Sequence, residues 1–132
     1  MIAVRLLLDT HVFLWAAADP DELTPDARGA IADRTNDVWV SAAVAWEIVT
    51  KVALGKLAVP TDPAVWFPAR VRSLGFQTLP ITAAHALAVG NLPEIHRDPF
   101  DRIMVAQAQV EGLTFATRDS ENRKYPIHVL AA

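Results

Sequence analysis

Apolar and polar positions fall along this chain in two kinds of block, short continuous apolar runs and longer stretches with helical spacing. Residues 3–8 (AVRLLL) form an apolar run broken only by Arg5 and ended by Asp9, the pattern of a largely buried strand in a parallel sheet. Residues 10–18 (THVFLWAAA) predict a short helix that Pro20 closes. Thr24-Pro25 opens a second helix running to about Arg34, with a charged outer face; Asp19, Asp21, Glu22, Asp26 and Asp33 therefore belong to a solvated surface. After a turn at Asn36-Asp37, residues 38–40 predict a second strand, and Ser41 caps a helix whose apolar stripe is Val44, Ile48 and Val52 and which Gly55 ends.

Residues 60–68 predict a loop with a helix start, leading to a helix over 65–73 and, past Gly75, a strand over 76–79. Thr82 caps an Ala-rich helix in which His85 is a structural or surface residue, since no second histidine stands at ligand spacing. A helix from Pro99 ends near Gly112, residues 113–117 form the next strand, 120–126 a polar loop and 127–130 a last strand. Strands alternating with helices predict one α/β domain over residues 1–132, with a parallel sheet and helices on both faces.

Composition narrows the chemistry. A chain of 132 residues buries roughly two thirds of its unfolded surface and needs neither disulfide nor structural metal. The absence of cysteine excludes thiolate zinc sites and thiol nucleophiles and agrees with a reducing, cytoplasmic setting. Arg5 and Asp9 flank the first apolar run too closely for a signal peptide or a membrane span. Hydrophobic residues make up 52% of the chain, and this surplus predicts apolar surface covered by a second copy or another protein. The net charge of −3 argues against a uniformly basic nucleic-acid platform, yet five of the twelve Lys and Arg residues (Arg97, Arg102, Arg118, Arg123, Lys124) lie between 97 and 124.

Residues 96–108 (HRDPFDRIMVAQA) concentrate two carboxylates, two arginines and a helix start. Pro99 suits the first helical position, Asp98 the N-cap and Asp101 the first turn, so capping and the helix dipole alone account for both acids. Likewise, an ion pair with Lys51 accounts for Glu47 in mid-helix. Placement on the fold changes their weight. Asp9 and Asp119 follow strand ends, Asp101 begins the helix that enters the strand before Asp119, and Glu47 follows another strand end. In an open parallel sheet the carboxyl ends of the strands are where ligands bind. Unit charges ~4 Å apart at an effective dielectric near 20 repel by about 4 kcal/mol, so clustered acids call for a cation or raised pKa values. Carboxylates without cysteine suit Mg²⁺ or Mn²⁺.

Asp9 in LLLDTH, Glu47 in SAAVAWEI, Asp101 in HRDPFDRIMVAQA and Asp119 in ATRDS resemble the acidic quartet of PIN-domain ribonucleases, above all the VapC toxins of type II toxin–antitoxin systems. The DPFDR segment with the AQA helix is the most specific part. The resemblance implies a five-stranded parallel sheet, an endoribonuclease dependent on Mg²⁺ or Mn²⁺, a homodimer and inhibition by a cognate antitoxin. It assigns Asp9, Glu47, Asp101 and Asp119 to the metal, with Asp98, Arg102 and Thr117 as supporting polar residues. A metal-activated water would then attack the RNA phosphodiester in line, leaving 5′-phosphate and 3′-hydroxyl ends.

Arg97, Arg102, Arg118 and Arg123 are candidates for the RNA backbone, with Arg102 alternatively paired to Asp98 or Asp101. The apolar helices over 10–18 and 42–54 are the expected antitoxin groove. A phosphoacceptor signalling domain fits less well, because Ser41 stands where its acceptor aspartate would be. A non-catalytic RNA- or protein-binding module of the same fold remains the alternative.

Overall fold

The computed structural model describes residues 3–132. Five strands, β1 (Arg5–Leu8), β2 (Asp37–Ser41), β3 (Gln77–Leu79), β4 (Thr114–Thr117) and β5 (Val129–Ala131), form one sheet in the order β3-β2-β1-β4-β5. Every neighbouring pair is parallel. Leu6, Leu7 and Leu8 point alternately to opposite faces, and all three are fully buried, so both faces of the central strand are covered. Leu8 is level with Val40 of β2 and Ala116 of β4, which brings the carboxyl ends of the three central strands to one edge. The chain runs outward from β1 to β3 and then returns to the other side of β1 for β4; the reversal falls between β1 and β4.

Six helices connect the strands: α1 (Thr10–Ala18), α2 (Pro25–Ala32), α3 (Ala42–Ala53), α4 (Pro63–Ser73), α5 (Ala83–Ala88) and α6 (Pro99–Glu111). Each begins at the side-chain oxygen of Asp9, Thr24, Ser41, Asp62, Thr82 or Asp98, which accepts a backbone N–H of the first turn. Gly112 ends α6 at a φ of 67°, in the left-handed region that a side chain would disfavour. The helix α4 starts earlier than its apolar spacing suggests because Asp62 caps it and Pro63 fills its first position. Strand bounds shift by one or two residues at the short edges, where Phe76 precedes β3 and Ile127 precedes β5.

Phe13, Phe115, Ile48 and Met104 fill the layers between sheet and helices. His85 is structural, and wholly buried rather than at the surface. Its Nδ1 accepts the Thr82 N–H at 3.0 Å, which leaves Nε2 to donate to Glu111 at 2.9 Å. This pair ties α5 to the end of α6. No helix among the described residues is long and apolar enough to cross a membrane.

Candidate active site

Asp9 closes β1 and caps α1 in one residue: its Oδ1 accepts the Val12 N–H at 2.9 Å, and its own N–H donates to Ala116 O of β4 at 3.0 Å. The side chain is buried, and burial raises its pKa above the usual carboxylate range. Hydrogen bonds from the Thr117 hydroxyl and the Val12 N–H and the charge of His11 oppose that rise, while Glu47 adds to it. Thr117 Oγ1 in turn accepts from the Asp119 N–H and from Asn122 Nδ2 at 3.1 Å each, which places Thr117 between the two aspartates.

Glu47 turns inward from α3. Its two carboxylate oxygens are occupied, one by the Thr10 hydroxyl and the other by the Lys51 ammonium. The ion pair with Lys51 four residues on is therefore present, but the carboxylate is buried and not on a solvated helix face. The same ammonium lies in the field of Asp98 and Asp101. Its pKa is raised, chiefly by the hydrogen bond to Glu47 and further by these acids.

Asp101 stands in the first turn of α6, behind the exposed N-cap Asp98, whose Oδ1 accepts the Phe100 N–H at 2.9 Å. Burial first, then the negative charges of Asp98 and Asp9, push the Asp101 pKa up to about 6; His96 opposes the rise and Glu47 adds to it. Asp119 follows β4, and its Oδ1 accepts the Glu121 N–H at 3.0 Å. Its Oδ2 lies 3.2 Å from His96 Nε2. Ligand atoms of His96, Asp101 and Asp119 all fall within 4.8 Å of one another.

The structure thus gathers Asp101 and Asp119 directly, with Asp9 and Glu47 close enough for their charges to bear on Asp101. His96, Thr10 and Lys51 complete the site; the helical spacing to Glu47 marks Lys51, and no spacing rule marks His96 or Thr10. His96 sits in a segment without periodicity, two residues ahead of the Asp98 cap.

Arg102, a candidate for the RNA backbone with Asp98 or Asp101 as its alternative partner, pairs with neither acid. Its guanidinium turns away from the helix mouth and donates to the carbonyls of Pro93 (2.9 Å), Val89 (3.1 Å) and His96 (3.4 Å). These three oxygens belong to a short 3-10 turn (Val89–Asn91) and the loop after it; Val89 and Pro93 already accept one backbone N–H each, and the planar fork of the guanidinium ties the two ends of the stretch together. Arg97 and Arg123 are exposed, and Arg118 lies 5.3 Å over the ring of Trp15 on α1. A cleft of about 560 Å³ lined by Glu94, Ile95, His96, Arg97 and Arg102 opens beside the cluster.

Comparison with known proteins bears on the family and the fold. The family model of the PIN domain matches residues 6–127. Ribonuclease VapC16 of Mycobacterium tuberculosis is 38% identical over 60 residues, a match covering 46% of this chain and 43% of that protein, less than half of its length. Among solved structures, VapBC2 from Rickettsia felis bound to a DNA fragment from its promoter aligns with a TM-score of 0.72 at 14% identity, covering 98% of this chain and 99% of that one. DNA-bound VapBC from Salmonella typhimurium aligns at 0.69 and 16% identity, covering 97% and 98%. FitAcB from Neisseria gonorrhoeae aligns at 0.64 and 21% identity, covering 95% and 96%. At these identities the likeness is one of fold.

Proposed function

The chain belongs to the PIN-domain family, and from that premise we propose that it is a divalent-metal-dependent endoribonuclease acting in the cytoplasm as the toxin of a type II toxin–antitoxin pair. One observation carries the activity: Asp101 and Asp119 converge with His96 at the point where the sheet order reverses, and burial, joined by the charges of Asp98, Asp9 and Glu47 on Asp101 and of Glu47 on Asp9, raises the pKa of both Asp101 and Asp9. A fold gains nothing from crowding acids in this way unless a cation answers their charge.

The residues fit such a cation. Three carboxylates, those of Glu47, Asp98 and Asp101, act on one ammonium, that of Lys51, and the donor set is rich in oxygen, as Mg²⁺ and Mn²⁺ require. Asp9, Asp101 and Asp119 would hold the metal directly, with Glu47 steered by Thr10 and Lys51 and Asp9 by Thr117. When bound, the ion supplies charge stabilisation at the phosphate and lowers the pKa of a coordinated water. Exposed Arg97, Arg118 and Arg123 bring positive charge to the approaching RNA backbone.

The name of the curated relative, a ribonuclease, and the toxin–antitoxin complexes among the fold neighbours support the reading. Trp46, Val49 and Leu54 at the end of α3, Leu87 on α5 and Val110 on α6 leave apolar surface exposed. A second copy of the chain and the antitoxin are its proposed occupants.

The deciding experiment incubates the antitoxin-free protein with total bacterial RNA, with Mg²⁺, Mn²⁺ or EDTA, and maps new 5′ ends, running Asp9→Asn in parallel. Discrete metal-dependent ends absent from the variant establish the ribonuclease. If no ends form, RNA binding without cleavage takes its place.

A further inference from the structure

His96 is the one member of the cluster that charge alone does not explain. Its ring is turned into the site, with the side chain 15% exposed and Nε2 sealed from solvent. That nitrogen lies 3.2 Å from Asp119 Oδ2 but is not aligned for a hydrogen bond, so a buried polar atom is left without a partner. The backbone around it is held firmly. The His96 N–H donates to the hydroxyl of buried Tyr125 at 2.9 Å, the His96 carbonyl accepts from Arg102, and the imidazole lies against the Tyr125 ring at 5.9 Å. A solvent-sealed nitrogen on a fixed backbone, within 4.8 Å of ligand oxygens from two aspartates, has the geometry of a metal ligand.

We propose that His96 Nε2 coordinates the divalent metal held by Asp101 and Asp119, giving the site a mixed nitrogen–oxygen ligand set that favours Mn²⁺ over Mg²⁺. This rests on the metal site of the proposed function and adds a ligand outside the acidic quartet. The preference follows from ligand chemistry: hard, strongly hydrated Mg²⁺ takes oxygen ligands and gains little from imidazole, whereas Mn²⁺ accepts nitrogen more readily. His11, the other histidine whose charge bears on the acids, is exposed on α1 and contributes no ligand.

The test is pulsed electron paramagnetic resonance of Mn²⁺ bound to the full-length protein, alongside calorimetric titration with Mn²⁺ and Mg²⁺. The proposal expects ¹⁴N hyperfine coupling from a directly bound imidazole, converted to the ¹⁵N pattern by histidine labelling, lost in His96→Ala and retained in His11→Ala. Calorimetry should show Mn²⁺ affinity falling about 10- to 100-fold in His96→Ala, with Mg²⁺ affinity changing less than about threefold. The labelling readout uses the unaltered protein and so does not depend on the variant folding. Tight Mn²⁺ binding without nitrogen coupling, or equal losses for both metals, overturns the ligand assignment and leaves the metal site standing. Failure of the unaltered protein to bind either ion overturns both.

Discussion

Trp46 and Phe100 meet edge to face with ring centroids 4.8 Å apart, and each immediately precedes an acid of the site, Glu47 on α3 and Asp101 on α6. The contact joins the two helices at the level of their carboxylates although the Trp46 residue is 58% exposed. Aromatic pairs of this geometry contribute roughly 0.5–1.5 kcal/mol beyond the area they bury. Trp46→Ala is therefore expected to lower the melting temperature by roughly 3–6 °C and to weaken metal binding by loosening the spacing of Glu47 and Asp101. A double-mutant cycle with Phe100→Ala checks it: a coupling energy near zero removes the pair as the spacer.

The metal-free protein should lose stability as pH rises from about 4 to about 6. The Asp101 carboxyl titrates near 3.8 in the unfolded chain and near 6 in the folded one. Below this window both states hold the proton and the group makes no difference. Within it the unfolded chain releases the proton while the folded state retains it, so stability falls and stays lower above pH 6. Burial of Asp9 acts in the same direction. Solvent reaching Asp101 screens part of the effect. Saturating Mn²⁺ or Mg²⁺ should flatten the slope, because the cation favours the ionised form. Thermal melts across pH 4–7 with and without metal measure both; a stability rising through this window in EDTA contradicts the repulsion.

The placement of three candidate acids was legible in the sequence because they are tied to local pattern. The run Leu6–Leu7–Leu8 ends at Asp9, the run before Arg118 ends one residue short of Asp119, and Pro99 announces the helix that carries Asp101. A parallel sheet then brings strand ends to one edge. His96 was not legible, since its position depends on Arg102 and on Tyr125, 29 residues away, and no periodicity encodes such bonds. Arg102 itself misled for the same reason: neighbouring acids suggested an ion pair as one of its options, whereas the carbonyls of Val89 and Pro93, outside its own helix, take its donors in addition to the backbone N–H each already accepts. Glu47 satisfied two descriptions at once. Its pair with Lys51 is the ordinary helical one, and only the burial of Glu47 and the field of Asp98 and Asp101 on the half-exposed Lys51 show that the pair sits among the acids.

Asp101→Asn should separate stability from function. Removing one of the mutually repelling charges relieves Asp98 and Asp9, so the metal-free variant is expected to melt higher than the unaltered protein at pH 7. The same change removes a metal-holding oxygen, and RNA cleavage should fall by more than about 100-fold. Calorimetry and a cleavage assay on one preparation decide it. A variant that is both less stable and inactive would mean that Asp101 serves the helix start, as a first-turn acid complementing the dipole.

Arg102→Lys tests how the loop that carries His96 is held. The guanidinium reaches three carbonyls across the 89–96 stretch, and a lysine ammonium, a single point on a flexible stem, does not span them. Loss of two such charge-assisted bonds, with Val89 and Pro93 keeping their backbone donors, costs roughly 1–3 kcal/mol. The cost should be local: amide hydrogen exchange is expected to accelerate at residues 89–97 while β1 and β4 keep their protection. Metal affinity should drop in parallel, because His96 moves with the segment, even though Arg102 touches none of the acids. Unchanged exchange in this segment would mean that Tyr125 alone fixes His96, and Tyr125→Phe, which removes the hydroxyl accepting the His96 N–H, would then carry the larger effect.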